Sequence, residues 1–127
     1  MSNRAVIATQ SAPKAIGPYS QGIKVGNTVW ISGQIPLIPE TMEMVSGDIT
    51  AEATQVFNNL RAVAEAAGGE LDDAVKINIS LTDLGDFDAV NAVMAAHLSE
   101  PFPARACVQV AALPKGARIE VEAILAL

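Results

Sequence analysis

The stretch Phe102-Pro103-Ala104-Arg105-Ala106-Cys107-Val108-Gln109-Val110, with its return Arg118-Ile119-Glu120-Val121-Glu122-Ala123-Ile124, decides how this chain is read. Ala106, Val108 and Val110 alternate with Arg105, Cys107 and Gln109, and Ile119, Val121 and Ala123 alternate with Arg118, Glu120 and Glu122. A period of two means two strands, each with one apolar face. Pro114 and Gly116 in the connection supply a turn. Paired antiparallel with their apolar faces together, the strands would place Arg105 and Cys107 on one face with Glu120 and Glu122. One register sets Cys107 opposite Glu120, the next sets it opposite Glu122. A guanidinium fork beside two carboxylates can hold a small acid and orient or deprotonate a water. The same residues also describe an ordinary cross-strand ion pair, which contributes less than ~1 kcal/mol when exposed.

Outward from this pair, the chain reads as one domain over residues 1–127, long enough for a core without staples. Half of its residues are hydrophobic and 17% are charged, which places it in the globular class. No apolar run reaches the length of a membrane span and none is flanked like a signal peptide, so a cytoplasmic protein without a membrane partner is expected. One cysteine and one histidine cannot make a disulfide or a Cys/His zinc site within the chain, and no metal is expected. A net charge of −6 opposes a phosphate backbone, so nucleic acid is not the favoured partner.

The upstream segments alternate between strand and helix signals. Ala5 to Ala8 makes a short strand, and Gly17-Pro18 interrupts it and places Tyr19 on a loop. Two apolar runs, Gln21 to Val25 and Thr28 to Ser32, flank Gly26-Asn27 as a hairpin. Gly33 at its exit allows a close approach by a ligand or another backbone. Ile35 to Gly47 is a loop. From Asp48 or Thr50, Ala53, Val56, Leu60, Val63, Ala64 and Ala67 fall at helical spacing until Gly68-Gly69. Ala74 to Thr82 is a strand with Val75, Ile77, Ile79 and Leu81 on one side. Asp86 can cap a second helix with an inner stripe of Phe87, Val90, Asn91, Met94 and Leu98. Asn91 on that stripe must either tie down a loop or reach a pocket. His97, near the helix end, is left outside the site. The sum is an α+β fold of about six strands and two helices on one sheet face. Ile124, Cys107 and other uncharged residues would then line the second face, which calls for a homo-oligomer with the site near its interface.

Four blocks carry a resemblance: Gly17-Pro18-Tyr19-Ser20-Gln21, Ser32-Gly33-Gln34-Ile35-Pro36, Asp86 to Asn91, and Pro103 to Val108 continuing through Leu113-Pro114-Lys115 to Ile119-Glu120-Val121-Glu122. In this order they resemble the reactive intermediate deaminase family, RidA type, formerly YjgF, over nearly the whole chain. The resemblance implies a chorismate-mutase-like fold with a mixed sheet, a homotrimer with clefts between subunits, and hydrolysis of 2-iminobutanoate and 2-iminopropanoate to 2-oxo acids and ammonia. It implies that Arg105 clamps the substrate carboxylate and that Glu120 activates water, with Glu122 in reserve. It also implies that Tyr19, Ser32, Gly33, Asn91 and Cys107 line the pocket, Cys107 through its backbone, and that no cofactor is needed. Met94, His97, Leu98 and the short 99–101 link depart from the family at the cleft rim. Three alternatives stand beside this reading: a deaminase of another unsaturated amino acid such as 2-aminomuconate, a non-catalytic small-acid-binding trimer, and an endoribonuclease.

Overall fold

The computed structural model describes residues 3–127. In chain order it runs β1 (Ala5–Ile7), β2 (Gly22–Val25), β3 (Thr28–Gln34), α1 (Ile49–Ala66), β4 (Ala74–Leu81), α2 (Phe87–His97), β5 (Ala104–Gln109) and β6 (Ile119–Ala126). The strands form one mixed sheet in the order β1-β2-β3-β6-β4-β5. Gly26 at φ +59° makes the two-residue turn between β2 and β3, as the Gly-Asn signal predicts.

The chain's last strand is inserted between β3 and β4 and runs antiparallel to both. Strands β4 and β5 are joined through α2 and pair in parallel, as a strand-helix-strand crossover requires. The expected hairpin between residues 102–110 and 118–124 is therefore absent, because β4 lies between those segments.

The core lies between the sheet and the two helices. Val29, Ile31, Ile77, Ile79, Leu81, Ile119, Val121, Ala123 and Leu125 meet Val56, Phe57, Leu60 and Val63 of α1 and Val90 and Met94 of α2. Asp48 caps α1 by accepting from the Ala51 N–H at 2.9 Å. Asp86 makes no such bond, because a 3-10 turn over Leu84–Asp86 precedes α2 and the Asp83 side chain caps that turn instead. Val75 is exposed rather than buried, since the ladder with β6 shifts register between Ala74 and Lys76.

Among the described residues the opposite face of the sheet carries no helix. Trp30 and Val108 stand 45% and 52% exposed on it, beside Ile23, Ala106 and Ile124. Among the described residues no helix is long and apolar enough to cross a membrane.

Candidate functional site

Register fixes which face each candidate side chain occupies. Arg105 pairs with Ile77 and Cys107 with Ile79, and both partners are core residues on the helix side. Glu120 pairs with Ser80 and Glu122 with Asn78, on the open side. Paired residues share a face, so Arg105 and Cys107 lie on one side of the sheet and Glu120 and Glu122 on the other. The expectation that all four share a face within one chain is corrected: apolarity on β5 marks the open side, where Ala106 and Val108 point. Cys107 likewise moves from the open face to the edge of the core.

On the helix side Arg105 is held by α2. Its Nη1 donates to Asn91 Oδ1, the Met94 sulfur lies 3.9 Å from the same nitrogen, and its guanidinium sits 5.1 Å from the Phe87 ring centroid. Asn91 therefore reaches a pocket rather than tying down a loop. A cavity of 500 Å³ opens here, lined by Asn91, Met94, Ala95, Phe102, Pro103 and Arg105. Burial pushes the Cys107 thiol above its ordinary pKa, and the Arg105 charge only partly offsets this, so the sulfur is a protonated thiol and a poor nucleophile. His97 stacks on Phe57 at 5.6 Å, clear of that cavity.

On the open side a cleft of 490 Å³ brings together Tyr19, Ser32, Gly33, Glu120 and Glu122. Gly33 lies in a bulge of β3, between the pairs Ile31 with Ala123 and Gln34 with Val121. A methyl group there would stand 2.8 Å from Glu120 Cδ, so the missing side chain is what lets the carboxylate lie against the β3 backbone. Burial raises the Glu120 pKa, and the Glu122 charge raises it further. Glu122 accepts from Asn78 Nδ2 at 3.1 Å, whereas the Glu120 side chain makes no hydrogen bond among the described residues.

The Ser32 hydroxyl donates to the Ser20 carbonyl. Its proton is thus committed to the loop, and its oxygen is left to accept. Tyr19 is 50% exposed and its hydroxyl oxygen lies 3.5 Å from the Ile16 N–H.

Two buried amides that the sequence reading passed over shape this cleft. Gln21 accepts from the Thr9 N–H at 2.7 Å and donates to the carbonyls of Thr9, Ala12 and Pro13 at 3.0, 3.2 and 2.8 Å, which folds the Pro13 to Tyr19 wall onto the sheet. Asn59 of α1 donates to the Leu37 carbonyl at 3.0 Å and so holds the segment bearing Ile35 and Leu37. The signal for Asn59 was a polar residue at helical spacing within an apolar stripe. Gln21 sits where loop becomes strand, and no periodicity marks it.

The six-stranded α+β sheet backed by two helices thus carries an arginine-lined cavity on one face and a carboxylate-lined cleft on the other. The Endoribonuclease L-PSP family model matches residues 9–127, and the chain belongs to that family. A protein of Dermatophagoides farinae named 2-iminobutanoate/2-iminopropanoate deaminase is 50% identical over 127 residues, spanning 100% of this chain and 99% of the relative. The protein of that name from Escherichia coli K12 is 50% identical over 121 residues, covering 93% of this chain and 94% of that one. The crystal structure of RidA from the Antarctic bacterium Psychrobacter sp. aligns with a TM-score of 0.94 at 59% identity, covering 97% of this chain and 99% of that chain.

Proposed function

We propose that this protein is a single-domain, cytoplasmic hydrolytic deaminase of small 2-imino acids and their enamine tautomers, 2-iminobutanoate and 2-iminopropanoate among them, and that it works as a homotrimer. The observation that carries this reading is the division of the site. The clamp and the acid lie on opposite faces of one sheet, so a substrate that touches both needs two copies of the chain. The exposed Trp30 and Val108 on the open face favour such a packing.

In that complex Arg105 of one copy holds the substrate carboxylate by two parallel N–H···O bonds, steadied by Asn91. Glu120 of the next copy orients a water. As the water oxygen bonds to the iminium carbon, the carboxylate takes one water proton and returns it to the nitrogen; the C–N bond then breaks as the remaining hydroxyl proton passes through the same carboxylate to the departing ammonia, leaving the C=O of the oxo acid. The products are a 2-oxo acid and ammonia. The raised Glu120 pKa brings the group closer to neutral pH, where one residue can take and give a proton. Tyr19 and Gly33 border the reacting atoms, and Ser32 acts chiefly by holding the loop. The electrophile is already an iminium, so positioning accounts for the catalysis and no cofactor is invoked.

The family model's name points instead to RNA. A chain of net charge −6 whose cleft holds two glutamates is poorly matched to a phosphate backbone.

The test is the rate of 2-oxo acid formation while threonine dehydratase generates the imine. The wild-type protein accelerates release and Arg105→Ala does not, while both remain oligomeric by light scattering. If neither changes the spontaneous rate although a 2-oxo acid still binds, the protein is a binding module.

A further inference from the structure

Met94 lines the arginine cavity, and the proposed reaction gives it no part. Its sulfur lies 3.9 Å from Arg105 Nη1, the same nitrogen that donates to Asn91 Oδ1. The residue is only 5% exposed, yet it borders a cavity of 500 Å³. A small reagent therefore meets this sulfur through the cavity, in the space beside the guanidinium, rather than across an open surface. Of the chain's three other methionines, Met42 and Met44 are half-buried in the loop between β3 and α1 and do not line the cavity.

A thioether is a weak acceptor and draws little from a guanidinium. Oxidation by a peroxide changes this. The S–O bond forms as the O–O bond breaks, the sulfur gives up two electrons, and with hydrogen peroxide the second oxygen leaves as water. The product is a polar sulfoxide whose oxygen sits on an atom already in contact with Arg105 Nη1. An N–H taken by that oxygen is withdrawn from a carboxylate, which needs two parallel N–H···O bonds from the fork. Cys107 is a poor competing target, because burial keeps its thiol protonated and peroxides attack the thiolate.

We propose that Met94 is a modification site: oxidation of its thioether to the sulfoxide by a peroxide turns a silent neighbour of Arg105 into a competitor for its N–H groups, and so weakens the binding of small 2-oxo and 2-imino acids. This rests on the deaminase reading, in which Arg105 holds the substrate carboxylate. Methionine sulfoxide reductases return the sulfoxide to the thioether, so the change is reversible.

The test treats the intact oligomer with hydrogen peroxide, locates sulfoxides by peptide mass spectrometry, and titrates 2-oxobutanoate calorimetrically before and after. Met94 is converted and affinity falls about tenfold, the effect expected of one hydrogen bond to a charged group. KM for 2-iminobutanoate rises by a similar factor, with kcat changed less. Bound 2-oxobutanoate slows the oxidation of Met94 but not that of Met42 and Met44. Met94→Leu, compared with its own untreated sample, loses no affinity under the same treatment. Met94→Gln, which carries a carbonyl oxygen at a similar position, binds weakly without any oxidant. Full conversion of Met94 at unchanged affinity, an equal loss in Met94→Leu, or oxidation confined to the other methionines overturns the inference and leaves the deaminase reading standing. If the untreated protein neither binds 2-oxobutanoate nor accelerates imine hydrolysis, the deaminase reading falls and this one with it.

Discussion

The two faces of the sheet place their candidate residues by different means. On the helix side Arg105 sits on an edge strand and takes its orientation from α2, through Asn91 and the Phe87 ring. On the open side Glu120 sits on a central strand, clamped between neighbours and pressed against a bulge that has no side chain. An edge strand leaves one row of backbone groups and both its faces available to whatever approaches. A central strand offers only its faces. The contrast shows how one chain can hold a guanidinium and a carboxylate in set positions on opposite faces without those groups meeting inside it.

The sharpest way to break this contrast is complementation. Arg105→Ala and Glu120→Gln should each be inactive as pure oligomers. Denatured and refolded together in equal amounts, they should recover roughly one quarter of wild-type turnover. With random assembly, a given interface takes its arginine from a Glu120→Gln chain half the time and its glutamate from an Arg105→Ala chain half the time. No recovery in properly assembled mixed oligomers would mean that the two residues serve one site within a single chain, contrary to their opposite faces.

Asn91 probes the helix side alone. Asn91→Ala leaves the guanidinium in place but frees it to swing, and a lost hydrogen bond to a charged group corresponds to about ten- to a hundredfold. The expected change is in KM more than in kcat, because a clamp on the carboxylate would act in ground and transition states alike. An unchanged KM would shift the orientation of Arg105 to the Phe87 ring.

Gly33→Ala makes the matching test on the open side. A Cβ 2.8 Å from Glu120 Cδ must push the carboxylate off its seat, since the other atoms around the methyl also belong to Glu120. The expected loss is about tenfold in kcat with KM little changed, opposite to the Asn91 pattern. Thermal unfolding should move by only a few degrees, because a side chain rather than backbone gives way. If KM rises instead, Gly33 acts by contacting the substrate.

Much of this was legible in advance. The alternation in β4 and β6, the Gly26-Asn27 turn and the apolar stripe of α1 each report a local period, and local periods survive folding. The pairing of β5 was not legible from its own residues. Alternation says which side chains share a face, and it says neither which strand lies next door nor which face is the core. Ala106 and Val108 are as apolar as core residues, yet they point away from the helices, while Arg105 and Cys107 point towards α2. A cue lay one level up, because a strand, a helix and another strand in succession favour a parallel crossover over a hairpin with the strand that follows. Arg105 and Glu120 each line a cavity, and their separation by the thickness of the sheet is what the false hairpin concealed. Gln21 and Asn59 act through loops distant in sequence, which no single segment displays.

The smallest expected effect concerns protons and again sets one face against the other. Glu52 of α1 is buried on the helix side but satisfied: it accepts from the Arg118 backbone and guanidinium, and that guanidinium also donates to the Gly47 carbonyl at 2.7 Å. Glu52→Gln should therefore destabilise at pH 8, by about 1 kcal/mol for a pair whose arginine is partly exposed. Glu120 has no such partner among the described residues, and its pKa is raised by burial and by Glu122. A carboxyl whose folded pKa exceeds its unfolded value contributes stability below the unfolded value and loses that contribution as pH rises through the folded one. Glu120→Gln, uncharged at every pH, should then unfold at a slightly higher temperature than wild type at pH 8, and the gap should close towards pH 4. A variant less stable than wild type at pH 8 would mean that the Glu120 charge is held by a partner across the interface. The open-side acid would then be as fully satisfied in the assembly as Glu52 is within one chain.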